Sequence, residues 1–315
     1  MKMQNLYKKN ISNLWNDKWY VNKYLKTKYA KKSKERSRMI ERQEMVVKYL
    51  KNSNLGRNIK ILELGYGAGQ GAKDFMSLCN KFYGIDISKK LSSFAKKNNS
   101  RAVKSGKAKF LVGFLEKKFK IKSNSIDVVI GIGIFQYIVN LDNCFRECRR
   151  VLKKNGIIII AQPNTLEIND LVYPRKFFIN SLKFFLKEPF MLSYSTTLKS
   201  LFQETKLKKY YKKYKKSWLM NSWIFTSGSH SPWNFKGKRR LLSYTRLKKI
   251  ITDNDFSIIH SCGLPFFYNN RNNLSEIIFG SLNIFLKFLN QYTFFSIFLK
   301  YVGSISIFYC RKITK

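Results

Sequence analysis

The stretch ILELGYGAG, at residues 61–69, decides the fold of this chain. Apolar residues from Ile59 to Leu64 predict a short buried strand, and a helix-like stretch reaches Cys79 behind it. Between them, glycines at alternate positions let the backbone adopt positive φ and approach a ligand closely. The following helix N-terminus adds unpaired N–H groups and a positive dipole end. The pattern predicts a ligand-binding crevice at the carboxyl end of an α/β sheet.

An acidic residue near the end of the next predicted strand, Phe82–Ile87, supports this interpretation. Asp86 lies 17 residues after Gly69. The carboxyl ends of neighbouring parallel strands meet at one edge of a sheet, so Asp86 is expected beside the glycine turn. A carboxylate there can accept hydrogen bonds from both hydroxyls of a ribose. The GxGxG spacing is weak alone, and the alternative is a glycine-rich turn beside an unrelated surface aspartate.

Strand and helix patterns alternate over the middle of the chain. Further strands are predicted at 109–112, 126–132 and 156–161, with helices at 88–97 and 141–152. The almost wholly apolar run Ile126–Ile132 is typical of a strand buried on both faces. This alternation predicts an α/β fold with a parallel sheet that helices cover on both sides.

The alternation stops at Pro163 and resumes with a helix at 244–252 and strands at 256–261 and 304–310. An apolar helical stretch is predicted at 274–301. We therefore divide the chain into a basic helical lead-in at 1–54, a core at 55–163 and 243–315, and an inserted cap at 164–242. The cap is irregular, aromatic and basic.

The charge balance narrows the classes of partner. There are 61 basic and 18 acidic residues, for a formal net charge of +43. Such an excess favours anionic partners, namely a membrane surface, nucleic acid or a phosphorylated substrate. The alternative is that the excess of basic residues reflects the codon bias of an AT-rich genome and not a binding function.

Cysteines and apolar runs indicate the compartment. Five scattered cysteines, with no CxxC pair and no nearby histidine, predict neither a disulfide framework nor a metal site. The N-terminus has no apolar core of a signal peptide, and no uncharged apolar run reaches the roughly 20 residues of a membrane span. We expect a cytoplasmic protein, with peripheral association at the inner face of the membrane as a further expectation.

Four motifs together resemble class I S-adenosylmethionine-dependent methyltransferases over about residues 55–163. They are ILELGYGAG, FYGIDIS, IDVVIGIGIFQYI and FRECRRVLKKNGIIII, in the order and at the spacings of that family. The resemblance is greatest to a broad subfamily of quinone-type and small-molecule methyltransferases. It implies S-adenosylmethionine as cofactor and a Rossmann-like seven-strand sheet of order 3-2-1-4-5-7-6, whose last strand is antiparallel.

The resemblance also assigns cofactor-binding residues by position. Glu63 would lie near the methionine amino group, Asp86 would hold the ribose, and Ile87 would flank the adenine. The resembled family often has an Asp near the adenine amino group, but here Phe114 or Leu115 stands there, and Glu116 is the nearest acid. The remaining positions are the turn glycines around the methionine part, the methyl-side residues and the framework residues: Gly65, Gly67, Gly69, Gly131, Ile132, Glu147, Arg150 and Gly156.

Methyl transfer from a sulfonium is an in-line displacement, in which the protein mainly aligns the nucleophile with the methyl. A general base is needed only if the acceptor must lose a proton. Gln136-Tyr137 replaces the family's common histidine pair after the fourth strand, which excludes a histidine base there. The candidate catalytic residues are Tyr137 and His230, the latter in SGSHSPW of the cap. The alternative for Tyr137 is a packing role beside the fourth strand, and the alternative for His230 is a position in a solvated turn. His260, on an apolar strand, is expected to be a core or edge histidine.

A small-molecule or lipid-linked acceptor is favoured. Apolar stretches at 177–192 and 277–299, rimmed by lysines, suit an anionic membrane surface, and the alternative is that they pack on the sheet. The run TKLKKYYKKYKKS at 205–217 suits RNA, but the motifs of base methylation, (D/N)PP(Y/F) and Pro-Cys, do not occur. Nucleic acid is therefore less favoured. A non-catalytic cofactor-binding subunit is the third interpretation, against which the intact glycines and Asp86 argue.

Overall fold

A seven-stranded mixed sheet forms the centre of the structure, a computed structural model. The strands are β1 Lys60–Leu64, β2 Lys81–Asp86, β3 Ala108–Val112, β4 Ile126–Ile132, β5 Leu152–Pro163, β6 Trp223–Phe225, β7 Lys238–Arg240, β8 Phe256–Leu264 and β9 Ile305–Lys312. The helices are α1 Lys34–Asn52, α2 Ala72–Ser77, α3 Lys89–Asn98, α4 Ser100–Lys104, α5 Leu141–Val151 and α6 Tyr244–Asp253, with a 3₁₀ turn at Phe135–Tyr137. The structure describes residues 12–13, 15–18, 21–22, 24–25, 34–53, 55–56, 58–138, 140–164, 223–225, 238–240, 244–264, 285, 296–297, 300–301, 303 and 305–313.

The strand order confirms the predicted topology. The sheet runs β3-β2-β1-β4-β5-β9-β8, and β6 and β7 form a separate antiparallel ribbon. Strands β1 to β5 are parallel, whereas β9 runs antiparallel to both β5 and β8. Because β8 and β9 are the sixth and seventh strands of this sheet, the order is the predicted 3-2-1-4-5-7-6.

Two apolar layers cover the sheet, one on each face. On one face Ile158 and Phe308 pack with residues of α5 and α6 such as Phe145 and Leu247. On the other face Ile159 packs with residues of α1 and α2 such as Val46 and Phe75. Successive side chains of a strand point to opposite faces, so a sheet covered on both sides needs continuous apolar strands. The run at 126–132 meets this requirement and forms β4 as predicted.

Most element bounds differ from the sequence-based prediction by one to four residues, and two of these differences have a clear physical reason. Helix α2 begins only at Ala72 and ends at Ser77, because the glycine turn extends to Gly71. Strand β5 begins at Leu152 rather than at 156, because Leu152 already pairs with Ile126 across a register shift. Most of the predicted helical stretch at 274–301 lies outside the described residues, although 296–297 and 300–301 are helical. No helix in the described ranges is long and apolar enough to cross a membrane.

An ion pair on α5 holds the β3–β4 connection. Arg150 Nε and Nη2 donate to the Glu147 carboxylate at 2.9 and 2.7 Å, and the same guanidinium donates to the carbonyls of Phe119 and Ile121. Burial alone would raise the pKa of Glu147, but Arg150 and the Phe119 N–H lower it below its usual value. This geometry fits the framework role predicted for Glu147 and Arg150.

Candidate active site

The glycine turn after β1 has the backbone that its sequence predicts. Gly65, Gly67 and Gly69 have φ of +70°, +57° and +75°. Residues with a Cβ rarely adopt this region, so glycine is required at these positions. The Gly65 N–H donates to the Ile85 carbonyl at 2.7 Å, which ties the turn to the end of β2.

Neighbouring side chains hold the turn closely. A Cβ on Gly65 would lie 2.6 Å from Ile134 Cδ1, and one on Gly69 would lie 2.9 Å from Asn99 Nδ2. The Tyr66 ring fills the space above Gly84, and its hydroxyl donates to the Leu111 carbonyl at 3.1 Å. Sequence reasoning missed this anchor, although a glycine inside a strand signals such a close approach.

Asp86 lies at the end of β2, with 8% of its surface exposed. Its Oδ2 accepts from the Gly67 N–H at 2.9 Å, and its Oδ1 accepts from the Ser88 N–H at 2.8 Å. Burial raises the pKa of Asp86 to about 6, against the opposing effect of these N–H groups. A carboxylate offers roughly four acceptor sites, so Asp86 keeps acceptor capacity for the two hydroxyls of a ribose.

Glu63, on β1, is a second buried carboxylate beside the turn. It is 7% exposed, and its Oε2 has no hydrogen-bond partner within the described part of the chain. Burial, with a contribution from the charge of Asp86, raises the pKa of Glu63 to about 8. A buried carboxylate oxygen without a donor destabilises a protein unless a ligand supplies one. An ammonium group would donate to this oxygen and favour the ionised form of Glu63. The pair Glu63 and Asp86 therefore fits a ligand that joins an amino acid to a nucleoside, such as S-adenosylmethionine.

The predicted adenine-side residues are less directly placed. Ile87 follows Asp86 and is half-buried. Leu115 packs into the core, and Glu116 Oε1 accepts from the Asn140 N–H at 3.2 Å, which ties it to the start of α5. Val112 pairs with Asp86 across the sheet and is 44% exposed, so it offers apolar surface beside the ribose position. Contact of Leu115 and Glu116 with adenine stays a prediction.

The chain turns back on itself at the end of β4. A Cβ on Gly131 would overlap the Phe135 ring, so this glycine lets the 3₁₀ turn fold over the strand end. Its role as a methyl-side residue stays a prediction. Tyr137, in this turn, is half-buried, and its ring meets the Trp15 ring edge to face with 6.4 Å between centroids.

The lead-in crosses the glycine turn, a contact that the sequence did not reveal. Asn16 Oδ1 accepts from the Lys89 N–H at 2.8 Å at the start of α3. Val21 packs with Ala68 of the turn, and the Tyr24 hydroxyl lies 2.7 Å from where a Cβ on Gly67 would be. The residues around the turn therefore include part of the lead-in as well as the core.

The two predicted catalytic residues differ in what the structure describes. His230 lies outside the described residues, in the connection between β6 and β7. Strand β7 contacts the 3₁₀ turn that carries Tyr137. His260 lies exposed on β8, the last strand of the sheet, and stacks on Tyr309, so of the two expected positions, core or edge, it has the edge position. The division into lead-in, core and cap stays a prediction.

Comparison with known proteins agrees with this geometry. Residues 62–160 match the family model described as a methyltransferase domain. An uncharacterized protein of Methanocaldococcus jannaschii is 29% identical over 156 residues, 50% of each chain. A ubiquinone biosynthesis O-methyltransferase of Pelagibacter ubique is 31% identical over 108 residues, 34% of this chain and 43% of that protein. The matched part therefore spans half the length, or less, of these curated relatives.

Solved structures share the fold at low sequence identity. Phosphoethanolamine N-methyltransferase 2 of Haemonchus contortus, in complex with S-adenosyl-L-methionine, has a TM-score of 0.52 and 14% identity. The alignment covers 96% of this chain and 60% of that one. An S-adenosylmethionine-dependent methyltransferase of Mesorhizobium loti has a TM-score of 0.50 and 11% identity, with coverage of 86% and 98%.

The strand order and the glycine turn with its two carboxylates define a class I, Rossmann-like methyltransferase fold. With the match at 62–160, these features identify a methyltransferase domain within the chain. S-adenosylmethionine, which the names of the similar solved structures give as their cofactor, fits the turn and its two carboxylates.

Cofactor binding is expected to release about one proton at pH 7. Because the pKa of Glu63 is raised to about 8, the free protein holds a proton there at pH 7, and the cofactor ammonium favours the carboxylate. Affinity should therefore rise as the pH increases towards 8. Calorimetry in two buffers of different ionisation enthalpy measures the proton count.

In the Glu63→Gln variant the proton release should be close to zero. The raised pKa of Glu63 also affects the stability of the folded parent chain when no cofactor is bound. The folded state binds the proton more tightly than the unfolded chain, whose pKa is about 4.5, so the stabilising contribution of Glu63 falls as the pH rises from about 4.5 to 8. Equal proton release by Glu63→Gln and the parent would assign the proton to another group.

Proposed function

We propose that this chain transfers a methyl group from S-adenosylmethionine to O, N or C of a small-molecule or lipid-linked acceptor. The observation that carries the proposal is the pairing of a positive-φ glycine turn with two buried carboxylates at the carboxyl ends of β1 and β2. Glu63 provides an unpartnered oxygen within the described residues, and Asp86 provides spare acceptor capacity. Together they suit the ammonium and ribose ends of one cofactor.

When bound, S-adenosylmethionine supplies the methyl group and the sulfonium leaving group. The chain's own residues bind and orient it. Glu63 pairs with the ammonium, Asp86 accepts from the ribose, and the rigid turn fixes the path between them. Correct alignment of donor and nucleophile contributes ~7–11 kcal/mol to such displacements.

The acceptor side is assigned to the end of β4 and the cap. The 3₁₀ turn with Tyr137 lies at the carboxyl end of β4, and strand β7 of the predicted cap contacts it. His230 lies in the connection that follows β6 in sequence. Tyr137 or His230 would take the acceptor proton where the acceptor is a hydroxyl.

Two observations support the proposed class of acceptor: the name of one relative and the net charge of the chain. The Pelagibacter relative is an O-methyltransferase of ubiquinone biosynthesis, which supports a small or lipid-linked acceptor and the quinone-type resemblance. The net charge of +43 supports peripheral association of the chain with the anionic inner face of the membrane. The same charge favours RNA as the alternative acceptor. A non-catalytic cofactor-binding subunit is the remaining alternative.

A labelled-methyl transfer assay against separated lipid, glycan, small-molecule and RNA fractions tests the proposal. Label is expected in the lipid or small-molecule fraction, and Asp86→Ala should reduce it at limiting cofactor. Label in RNA alone would establish the alternative acceptor. Cofactor binding with no label in any fraction would favour the non-catalytic subunit.

A further inference from the structure

Three uncharged side chains at the carboxyl end of β5 are buried without complete hydrogen bonding. Gln162 is 1% exposed, and neither its Oε1 nor its Nε2 has a partner within the described part of the chain. The same holds for the Oγ of Ser306, also 1% exposed, and for the Oδ1 of Asn164, 4% exposed. The Asn164 Nδ2 donates to the Tyr301 carbonyl at 2.7 Å.

The sheet register brings two of these side chains together. Gln162 lies directly opposite Ser306 on β9, and Ser306 lies opposite Gly263 on β8. Opposed residues share a face of the sheet, and alternate residues of a strand point the same way. Gln162 and Ser306 therefore face the side of Ile160 and Phe308. We call Gln162, Ser306 and Asn164 the amide row.

The amide row lies beside the carboxyl end of β4, where the proposed function places the methyl acceptor. The Gly133 N–H, after β4, donates to the Ala161 carbonyl at 2.7 Å, immediately before Gln162. Paired strands lie about 4.8 Å apart, so Gln162 is one strand spacing from the exit of β4. An acceptor held above β4 and β5 would be within reach of its amide.

Burial of an unpaired amide destabilises a fold, and replacement by an apolar group of the same shape is neutral or stabilising. A residue that weakens the fold yet sits beside a reaction site is explained when a ligand completes its hydrogen bonds. The row offers donors at Gln162 Nε2 and Ser306 Oγ, and acceptors at Gln162 Oε1, Ser306 Oγ and Asn164 Oδ1. None of these groups carries a charge.

We propose that the amide row binds a neutral group of the methyl acceptor that both donates and accepts hydrogen bonds, a hydroxyl or a primary amide. The inference rests on the proposed function only in identifying the ligand as the methyl acceptor. The existence of the site does not depend on that function. Two amides and a hydroxyl match such a group, whereas they leave a carboxylate or phosphate without a counter-charge.

The test uses the full chain saturated with S-adenosylhomocysteine and four probes of similar size, followed by ligand-observed NMR. Phenol and benzamide present the hydroxyl and the amide, benzoate presents an anion, and toluene is apolar. Phenol or benzamide is expected to bind more tightly than toluene and benzoate, and which of the two binds distinguishes the hydroxyl from the amide. Gln162→Leu should weaken that binding about tenfold or more and leave cofactor affinity unchanged.

Stability provides the second readout. Gln162→Leu should raise Tm, because it removes a buried amide without partners. Ser306→Ala should weaken probe binding in the same direction, whereas its matched control Ser257→Ala, an exposed serine on the neighbouring strand, should not. Unchanged probe binding in Gln162→Leu would overturn the proposal, and a fall in Tm in that variant would assign the row to an ordered water. Failure of both neutral probes to bind the parent would overturn it too.

The outcomes separate this inference from the proposed function. Probe binding that depends on Gln162, with no methyl transfer in any fraction, would reject the function and keep the site. Methyl transfer with an acceptor KM unchanged in Gln162→Leu would reject the site and keep the function.

Discussion

Asp86→Ala is expected to weaken S-adenosylmethionine binding by about 10- to 150-fold. Hydrogen bonds to a charged group contribute ~1.5–3 kcal/mol, and each 1.4 kcal/mol is about tenfold in affinity. At pH 7.5, above the pKa of about 6 that burial gives Asp86, the carboxylate is ionised and accepts from the ribose. Calorimetric titration with S-adenosylmethionine measures the loss.

Two further variants sharpen this experiment. Asp253→Ala removes an exposed carboxylate near the end of α6, paired with Lys249, and should leave affinity unchanged. Asp86→Asn keeps the shape and one acceptor oxygen, so its affinity should fall between those of the parent and Asp86→Ala. Because Asp86 also accepts from Gly67 and Ser88, thermal melting must show that the variants stay folded. An affinity unchanged in Asp86→Ala would remove Asp86 from the ribose role.

The sheet could be predicted because its strands are short apolar runs whose burial on both faces leaves few alternatives. Ile126–Ile132 was predicted at its observed bounds for this reason. The ends of other elements depend on tertiary contacts. Leu152 extends β5 because it pairs with Ile126, and no local pattern announces that pairing. The strand order itself came from the family resemblance, since periodicity does not order strands.

The turn glycines and Asp86 could be predicted because their chemistry is local: positive φ needs glycine, and a strand end places the acid. The contact between the lead-in and the glycine turn could not be predicted from the sequence. Asn16 caps α3, and Tyr24 lies over Gly67, through single polar and aromatic contacts without periodicity. Gln162 directly follows the apolar run at 156–161, so the sequence places a polar side chain at the end of β5. That this side chain is buried without partners in the described part of the chain could not be predicted, because it depends on the pairing with β9.

Removal of the general base is expected to have the largest effect of all. If the acceptor is a hydroxyl, one of the variants Tyr137→Phe and His230→Ala should lower kcat by ~10²–10⁴-fold, with cofactor affinity nearly unchanged. Tyr137→Phe removes only the hydroxyl and keeps the ring that packs edge to face on Trp15, so a loss of turnover would not reflect lost packing. Single-turnover methyl transfer to the labelled fraction measures the chemical step.

The pH profile of the parent identifies the base independently. A histidine base gives a rate that rises around its ordinary pKa of about 6.5, and a tyrosine base one that rises nearer 10. Tyr83→Phe and His260→Ala are the matched controls, because Tyr83 lies in the middle of β2 and His260 is exposed at the sheet edge. Both controls should keep parental turnover. If Tyr137→Phe and His230→Ala also keep it and the profile is flat, no proton leaves the acceptor during attack. A nitrogen or carbon nucleophile that needs no base would then replace the hydroxyl.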